Sequence, residues 1–241
     1  MGNIHFILQG KGGVGKSLVA NLLFQYLRKR SIDVIGIDTD PVNSTLAGYK
    51  ELSVSAINIM DGADIDHCKF DELMNIALDC PAESHVIIDN GASSFIPLCS
   101  YLIENNALQT LFDTGQQPLL HTVVTGGQAI LDTTAGLATL ATTFSSVPLV
   151  VWLNRYFGDI AIGNLPFEEF TVYRAHKNNI ASIIQIPHRK HSTFTKDLDA
   201  LYARKETFEA AINSSLPIMT RQRLIMYWRD VQAEIDKAQL I

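Results

Sequence analysis

Lys11 and Lys16 stand five positions apart in one glycine-rich turn, QGKGGVGKSL over residues 9–18. Gly10, Gly15, Lys16 and Ser17 satisfy the G-x-x-x-x-G-K-[ST] spacing that builds a phosphate cradle. The glycines at 10, 12, 13 and 15 let backbone N–H groups converge on phosphate oxygens with no Cβ in the way, and a helix starting there adds partial positive charge. Lys16 is placed to reach β- and γ-phosphates, and the Ser17 hydroxyl to ligate Mg²⁺. Gly10, Gly12, Gly13, Val14, Gly15, Lys16, Ser17 and Leu18 are the expected nucleotide-contacting stretch. Such a loop needs one lysine, so Lys11 is a surplus cation in search of a charge.

Carboxylates recur downstream at matching places. IDTDP over 37–41 carries Asp38 and Asp40 two apart, which in extended chain puts both on one face, able to address one metal or one water. HVIIDNGASS over 85–94 is an apolar strand ending in Asp89, the form of a carboxylate that acts on Mg²⁺ through water, followed by a small-residue segment suited to sensing a γ-phosphate. VVWLNRYFGD closes another strand on Asn154, whose amide offers a donor and an acceptor. IIQIPHRKH carries Pro187 as a strand terminator and His188 and His191, which read as solvated side chains rather than metal ligands.

Positioning these groups requires a particular frame. Apolar runs at 4–8, 33–37, 85–89, 119–124, 148–154 and 181–186 are near-continuous rather than alternating, as in parallel strands buried on both faces. Between the first two, Val19, Leu22, Leu23, Tyr26 and Leu27 fall on one helical face, so the chain opens with a βαβ unit. Its repetition predicts a doubly wound α/β fold, a mostly parallel sheet flanked by helices on both sides. No repeat or linker interrupts the chain, and we expect one domain over 1–241 that closes with a helix at about 218–241. There Leu224, Trp228, Val231, Ile235 and Ala238 form a stripe expected to dock on the domain itself, with a membrane or partner surface as the alternative.

Composition narrows the classes. The 241 residues carry a net charge of −6, which opposes a large nucleic-acid surface, and the cationic stretches LRKR at 27–30 and HRKH at 188–191 are short and scattered. Direct DNA contact is therefore expected to be weak or indirect. Three cysteines, Cys68, Cys80 and Cys99, lack zinc or disulfide spacing and suit a reducing cytoplasm. No apolar run is long enough to span a bilayer and no basic leader opens the chain, so a cytoplasmic protein without membrane association is expected.

With its early lysine, GKGGVGKS resembles the deviant phosphate loop of the ParA/MinD class of P-loop ATPases. Together with IDTDPVN, VIIDNGASSF, HTVVTGGQAILDT, VVWLN, SIIQIP and IMTRQRL, it is similar nearly end to end to the TraL-type proteins encoded in plasmid conjugative-transfer regions. The class likeness implies ATP and Mg²⁺ as cofactors, an ATP-dependent homodimer, and Lys11 reaching across it to the partner's nucleotide. It implies that Asp40 orients the attacking water, that Asp38 and Asp89 serve the magnesium shell with Ser17, and that Asn154 and Pro187 border the adenine. The catalytic set is then Lys11, Lys16 and Asp40. The TraL likeness implies a bacterial cytoplasmic protein of plasmid DNA transfer, with relaxosome or secretion-channel partners. Asn90-Gly91 departs from the class, which often has a Thr-Pro-like dipeptide there, and puts the switch geometry in question.

Two other functions share the motifs. A metabolic P-loop enzyme, a small-molecule kinase or an ATP-dependent ligase such as dethiobiotin synthetase, would require an acceptor for turnover. A structural subunit would hold ATP without hydrolysing it.

Overall fold

The computed structural model describes residues 1–189 and 192–240. Its strands are β1 (Asn3–Ile7), β2 (Val34–Asp38), β3 (Ser55–Ala56), β4 (Met60–Asp61), β5 (Asp64–Ile65), β6 (His85–Asp89), β7 (Gln117–Thr125), β8 (Leu149–Asn154), β9 (Ala161–Ile162), β10 (Leu165–Pro166) and β11 (Ile180–Ile186). The helices are α1 (Lys16–Lys29), α2 (Phe70–Leu78), α3 (Phe95–Glu104), α4 (Ala107–Asp113), α5 (Ile130–Thr143), α6 (Thr171–His176), α7 (Ser192–Ala203), α8 (Phe208–Asn213) and α9 (Ile218–Lys237).

Seven strands form one sheet in the order β11-β8-β7-β1-β6-β2-β3, and every neighbouring pair is parallel. Parallel neighbours cannot be joined by hairpins, so each return is a crossover and helices cover both faces. The alternation within the strands sorts the two cores. Ile4, Phe6, Val86, Ile88, Leu149, Val151 and Leu153 face the layer of α2 to α6, while Ile7, Ile87, Val150 and Trp152 face α1 and α7 to α9. Burial on both sides is why these runs read as continuously apolar. The expected α1 face is also borne out: Val19, Leu22, Leu23, Tyr26 and Leu27 are all buried.

β1 is flanked by β6 and β7, so the strand order reverses at β1. In open parallel sheets such a reversal opens a crevice beyond the strands' carboxyl ends. Lys11, Lys16, Ser17, Asp38, Asp40, Asp89 and Asn154 all follow or end a strand at that edge.

α9 docks on the domain as its stripe predicts, with Leu224, Trp228, Val231 and Ile235 buried and Trp228 stacked on Phe208 at 4.9 Å. It is shorter than expected. The helix ends at Lys237, and Gln239 takes a left-handed conformation at φ 49°, which turns the chain out of the helix; Ile241 lies outside the described residues.

One feature of the core has no counterpart in the sequence patterns. His5, His85 and His121, on adjacent strands of the α1 face, are joined in a row. His5 Nε2 lies 2.7 Å from His85 Nδ1, and His5 Nδ1 lies 2.9 Å from His121 Nε2. The row is closed by Trp152 Nε1, which donates to His121 Nδ1 at 3.0 Å. An indole N–H can only donate, so neutral imidazoles must pass their protons in one direction, from His121 to His5 to His85. Burial holds His121 down to about 3, His85 down to about 4, and His5 well below the ordinary value.

Candidate nucleotide site

The loop after β1 delivers its glycines as the motif requires. Gly13 at φ 72° and Gly15 at φ 108° are left-handed, where a side chain would be strained, and α1 begins directly after Gly15. No side chain caps α1 and its first turn holds no acid, so the helix's leading N–H groups are left for an anion. Lys16 is only 8% exposed, and its Nζ donates to the Lys11 carbonyl at 3.3 Å. Burial lowers its pKa, while the neighbouring Asp89 and Asp40 oppose that shift.

The carboxylates converge beside it. Asp38 and Asp89 are register partners at the ends of β2 and β6, and both are 1% exposed. Asp89 has both oxygens buried without a hydrogen bond; the Ser17 hydroxyl is near enough to favour the ionised form without completing one. Burial, reinforced by Asp38 and Asp40, pushes its pKa up to about 7. A sealed carboxylate with no partner is costly unless something charged arrives. That orphaned acid beside a serine hydroxyl and a phosphate-type loop fits a hydrated divalent cation.

Asp38 is differently employed. Its Oδ1 accepts from Asp40 N and its Oδ2 from Ala47 N, both at 3.0 Å, so it folds the 39–47 loop over the strand end. Asp40 is partly exposed at the rim, with Oδ1 accepting from Val42 N at 2.9 Å and Asn43 N at 3.1 Å. Its side chain is thereby fixed in direction at the mouth of the crevice.

Asn90-Gly91 acquires a physical account. Asn90 Oδ1 accepts from Thr39 Oγ1 at 3.1 Å and from Ser94 Oγ at 2.8 Å, and Asn90 Nδ2 donates to the Gly91 carbonyl at 3.0 Å. This buried clasp ties the end of β2 to the start of α3. Gly91 is required by proximity, since a Cβ there would stand 2.9 Å from Asp40 Cγ. The dipeptide holds the segment after Asp89 against the Asp40 loop.

Gln9 anchors the phosphate loop from below. It is fully buried, and its amide donates to the carbonyls of Val123 at 3.0 Å and Thr133 at 3.1 Å, linking the loop to β7 and α5. Asn154 holds it from the side. Its Nδ2 donates to the Val14 carbonyl at 2.9 Å and its Oδ1 accepts from Tyr156 N at 3.1 Å. A cavity of about 540 Å³ opens beside these residues, lined by Gly13, Gly15, Leu18, Asn154, Ile186 and Pro187 near the loop and by Tyr202 and Tyr227 farther along.

Lys11 is half-exposed and pairs with Asp132 of α5 at 2.8 Å. Of the scattered arginines, Arg30 pairs with Asp236, Arg189 with Asp230, and Arg223 with Asp197. His188 is exposed at the cavity, and His191 lies outside the described residues. Among the described residues no group of three or more His, Cys, Asp or Glu side chains could hold a metal by itself. A cation here would therefore need oxygens from its ligand or from water. No described helix is long and apolar enough to cross a membrane.

Comparison with known proteins follows the same lines. The pattern of the CobQ/CobB/MinD/ParA nucleotide binding domain matches residues 5–219. This chain belongs to that family. Within it, the chain is 46% identical over 243 residues to two Escherichia coli proteins called Protein TraL, covering all of each. The MinD fold also matches: the MinC:MinD cell division protein complex of Aquifex aeolicus superposes with a TM-score of 0.52 at 18% identity, over 96% of both chains.

The MinD/ParA frame brings Lys16, Ser17, Asp38, Asp40 and Asp89 to one edge, and Asn154 and Pro187 to the adjoining cavity. Sequence reasoning missed Gln9, Thr39, Asp132, Tyr202 and Tyr227, and singled out Asn90 without giving it a role. Asn90 carried a signal as the departure from the MinD/ParA pattern; the others are ordinary residues whose partners lie far away in the chain.

Proposed function

We propose that this protein is an ATP-operated dimerising switch of plasmid conjugative DNA transfer, working in the bacterial cytoplasm. The observation that carries the reading is the uncapped start of α1 with buried Lys16 facing the orphaned Asp89. The loop N–H groups and Lys16 bind the triphosphate. Ser17 and Asp89 would hold Mg²⁺, and Asp38 would serve the same site by shaping the loop that presents Asp40. When bound, the cation would offset phosphate charge. Asp40, fixed at the rim, orients the water, and Asn154 and Pro187 border the base. Turnover is slow because one carboxylate and one positioned water carry it.

Dimerisation is supported by the surface around the crevice. Val42, Ile96, Leu131, Tyr156 and Phe157 are each more than half exposed, and each follows the carboxyl end of a strand, so all stand at the loop's edge of the sheet. Lys11 leaves Asp132 to meet the partner's nucleotide in the closed pair. Hydrolysis reopens the dimer and releases a relaxosome or secretion-channel protein; ion-paired arginines keep direct DNA affinity weak.

Calorimetry and phosphate release test this together. Lys16→Ala abolishes ATP binding, whereas Asp40→Ala binds MgATP normally and loses about 100-fold or more in turnover. Equal ATP affinity in Lys16→Ala and parent contradicts the loop assignment. Turnover that requires an added metabolite moves the protein to the metabolic class.

A further inference from the structure

Asn154 closes β8 with β7 on one side and β11 on the other, so its backbone belongs to the sheet. Its carbonyl also accepts from Thr125 Oγ1 at 2.9 Å, which fastens it to β7 a second time. The side chain therefore starts from a rigid origin, and at 4% exposure it has little room to turn.

Its amide joins two loops. Nδ2 donates to the Val14 carbonyl at 2.9 Å in the phosphate loop, and Oδ1 accepts from Tyr156 N at 3.1 Å in the segment after β8. These partners fix which way the amide faces, because the reversed amide would set oxygen against the Val14 carbonyl and NH₂ against the Tyr156 N–H. The approach to the loop is close as well. A Cβ on Gly15 would stand 2.9 Å from Nδ2, and Gly15, at φ 108°, is the residue directly before α1.

The bond to Val14 bears on the phosphate donors. In a trans peptide the C=O and the N–H that follows it point in opposite directions. Holding the Val14 carbonyl toward Asn154 therefore turns the Gly15 N–H away from Asn154. Without that hold the Val14–Gly15 peptide can rotate, since glycine tolerates the alternative dihedral angles at little cost.

We propose that Asn154 is a positioning residue for the phosphates: it locks the Val14–Gly15 peptide so that the loop is shaped for a polyphosphate before one arrives. The inference rests on the reading of this loop as the phosphate site of a nucleotide. It gives Asn154 an effect on any triphosphate, whereas an asparagine that only reads adenine matters only when adenine is present. A loop that is correctly shaped for a fraction of the time binds more weakly by that fraction.

The full-length protein is titrated by calorimetry with ATP and with inorganic tripolyphosphate, both with Mg²⁺, as parent, Asn154→Leu, Asn154→Ala and Thr207→Ala. Leucine keeps the branched shape of asparagine without its hydrogen bonds and adds no charge. Thr207→Ala removes the side-chain cap of α8, away from the phosphate loop, and so controls for a general loss of stability. Both Asn154 variants should bind ATP and tripolyphosphate about fivefold or more weaker than the parent, by the same factor for each ligand. Thr207→Ala should lower the melting temperature and leave both affinities unchanged. A loss for ATP with tripolyphosphate unaffected, no loss for either ligand, or an equal loss in Thr207→Ala overturns the proposal. Should the Asn154 variants fail to unfold cooperatively, or tripolyphosphate bind the parent too weakly to measure, a crystal structure of the parent with a non-hydrolysable MgATP analogue decides. Nδ2 should remain on the Val14 carbonyl, and an amide turned from Val14 to the base overturns the proposal. A parent that binds neither ATP nor tripolyphosphate instead refutes the nucleotide reading on which it stands.

Discussion

Acid should weaken the nucleotide-free protein through the row of buried histidines, and the size of the effect follows from their depressed pKa values. Their folded values lie far below the ordinary 6.5, so the stability they contribute is complete above that value and is lost as pH falls through it toward the folded values. At pH 5.5 each unfolded imidazole binds a proton that the folded one refuses, which costs about 1.4 kcal/mol; three make about 4 kcal/mol relative to pH 7.5. Asp89 works in the opposite sense. With its pKa raised to about 7, the folded protein binds a proton there that the unfolded chain does not, and stability rises as pH falls. That returns about 2 kcal/mol over the same interval, and Asp38, also raised by burial, adds to the offset. The parent should therefore lose about 2 kcal/mol or somewhat less between pH 7.5 and 5.5. In Asp89→Asn, where the offset from Asp89 is gone, the loss should grow toward about 4 kcal/mol. Urea unfolding at the two pH values, with chelator present and nucleotide absent, measures both. If Asp89→Asn is as stable at pH 5.5 as at pH 7.5, the histidines are not held neutral and the reasoning fails.

Two substitutions probe the site's mechanics. Gly91→Ala places a methyl group against Asp40 and forces the two loops apart at a cost of about 1–3 kcal/mol; ATP affinity should hold while phosphate release falls, and unchanged turnover would show that the contact does not position Asp40. Asp132→Ala frees Lys11 from an exposed pair worth at most about 1 kcal/mol. Its melting temperature should match the parent's while its dimer forms at lower ATP concentration in sedimentation, and a dimer requiring more ATP would contradict the idea that Asp132 withholds Lys11.

The six long strands and α1 were legible because burial on both faces and a helical face leave periodic marks in the chain. The acids at the ends of β2 and β6 were legible for a related reason: apolar runs closing on aspartate announce the sheet's carboxyl edge. β3, the β4–β5 and β9–β10 hairpins and the end of α9 escaped, being two-residue pairings or a single left-handed residue. The histidine row escaped more completely, since His5, His85 and His121 are remote in sequence and become partners only through strand register. Asn154 shows the limit within the site. Its position at the cavity was expected, but its bond to the Val14 carbonyl depends on a loop conformation that no spacing rule encodes.

The central claim, that Lys11 acts on the other subunit's nucleotide, is tested most directly by mixing two inactive variants. Lys11→Ala retains Asp40, and Asp40→Ala retains Lys11, so a heterodimer contains one site with its own Asp40 and the partner's Lys11. Phosphate release by the mixture, with heterodimers verified by sedimentation, should return a fraction of parent activity while each variant alone stays near zero. Verified heterodimers without recovered activity, or an ATP-dependent dimer of Lys11→Ala alone with normal turnover, would contradict the claim.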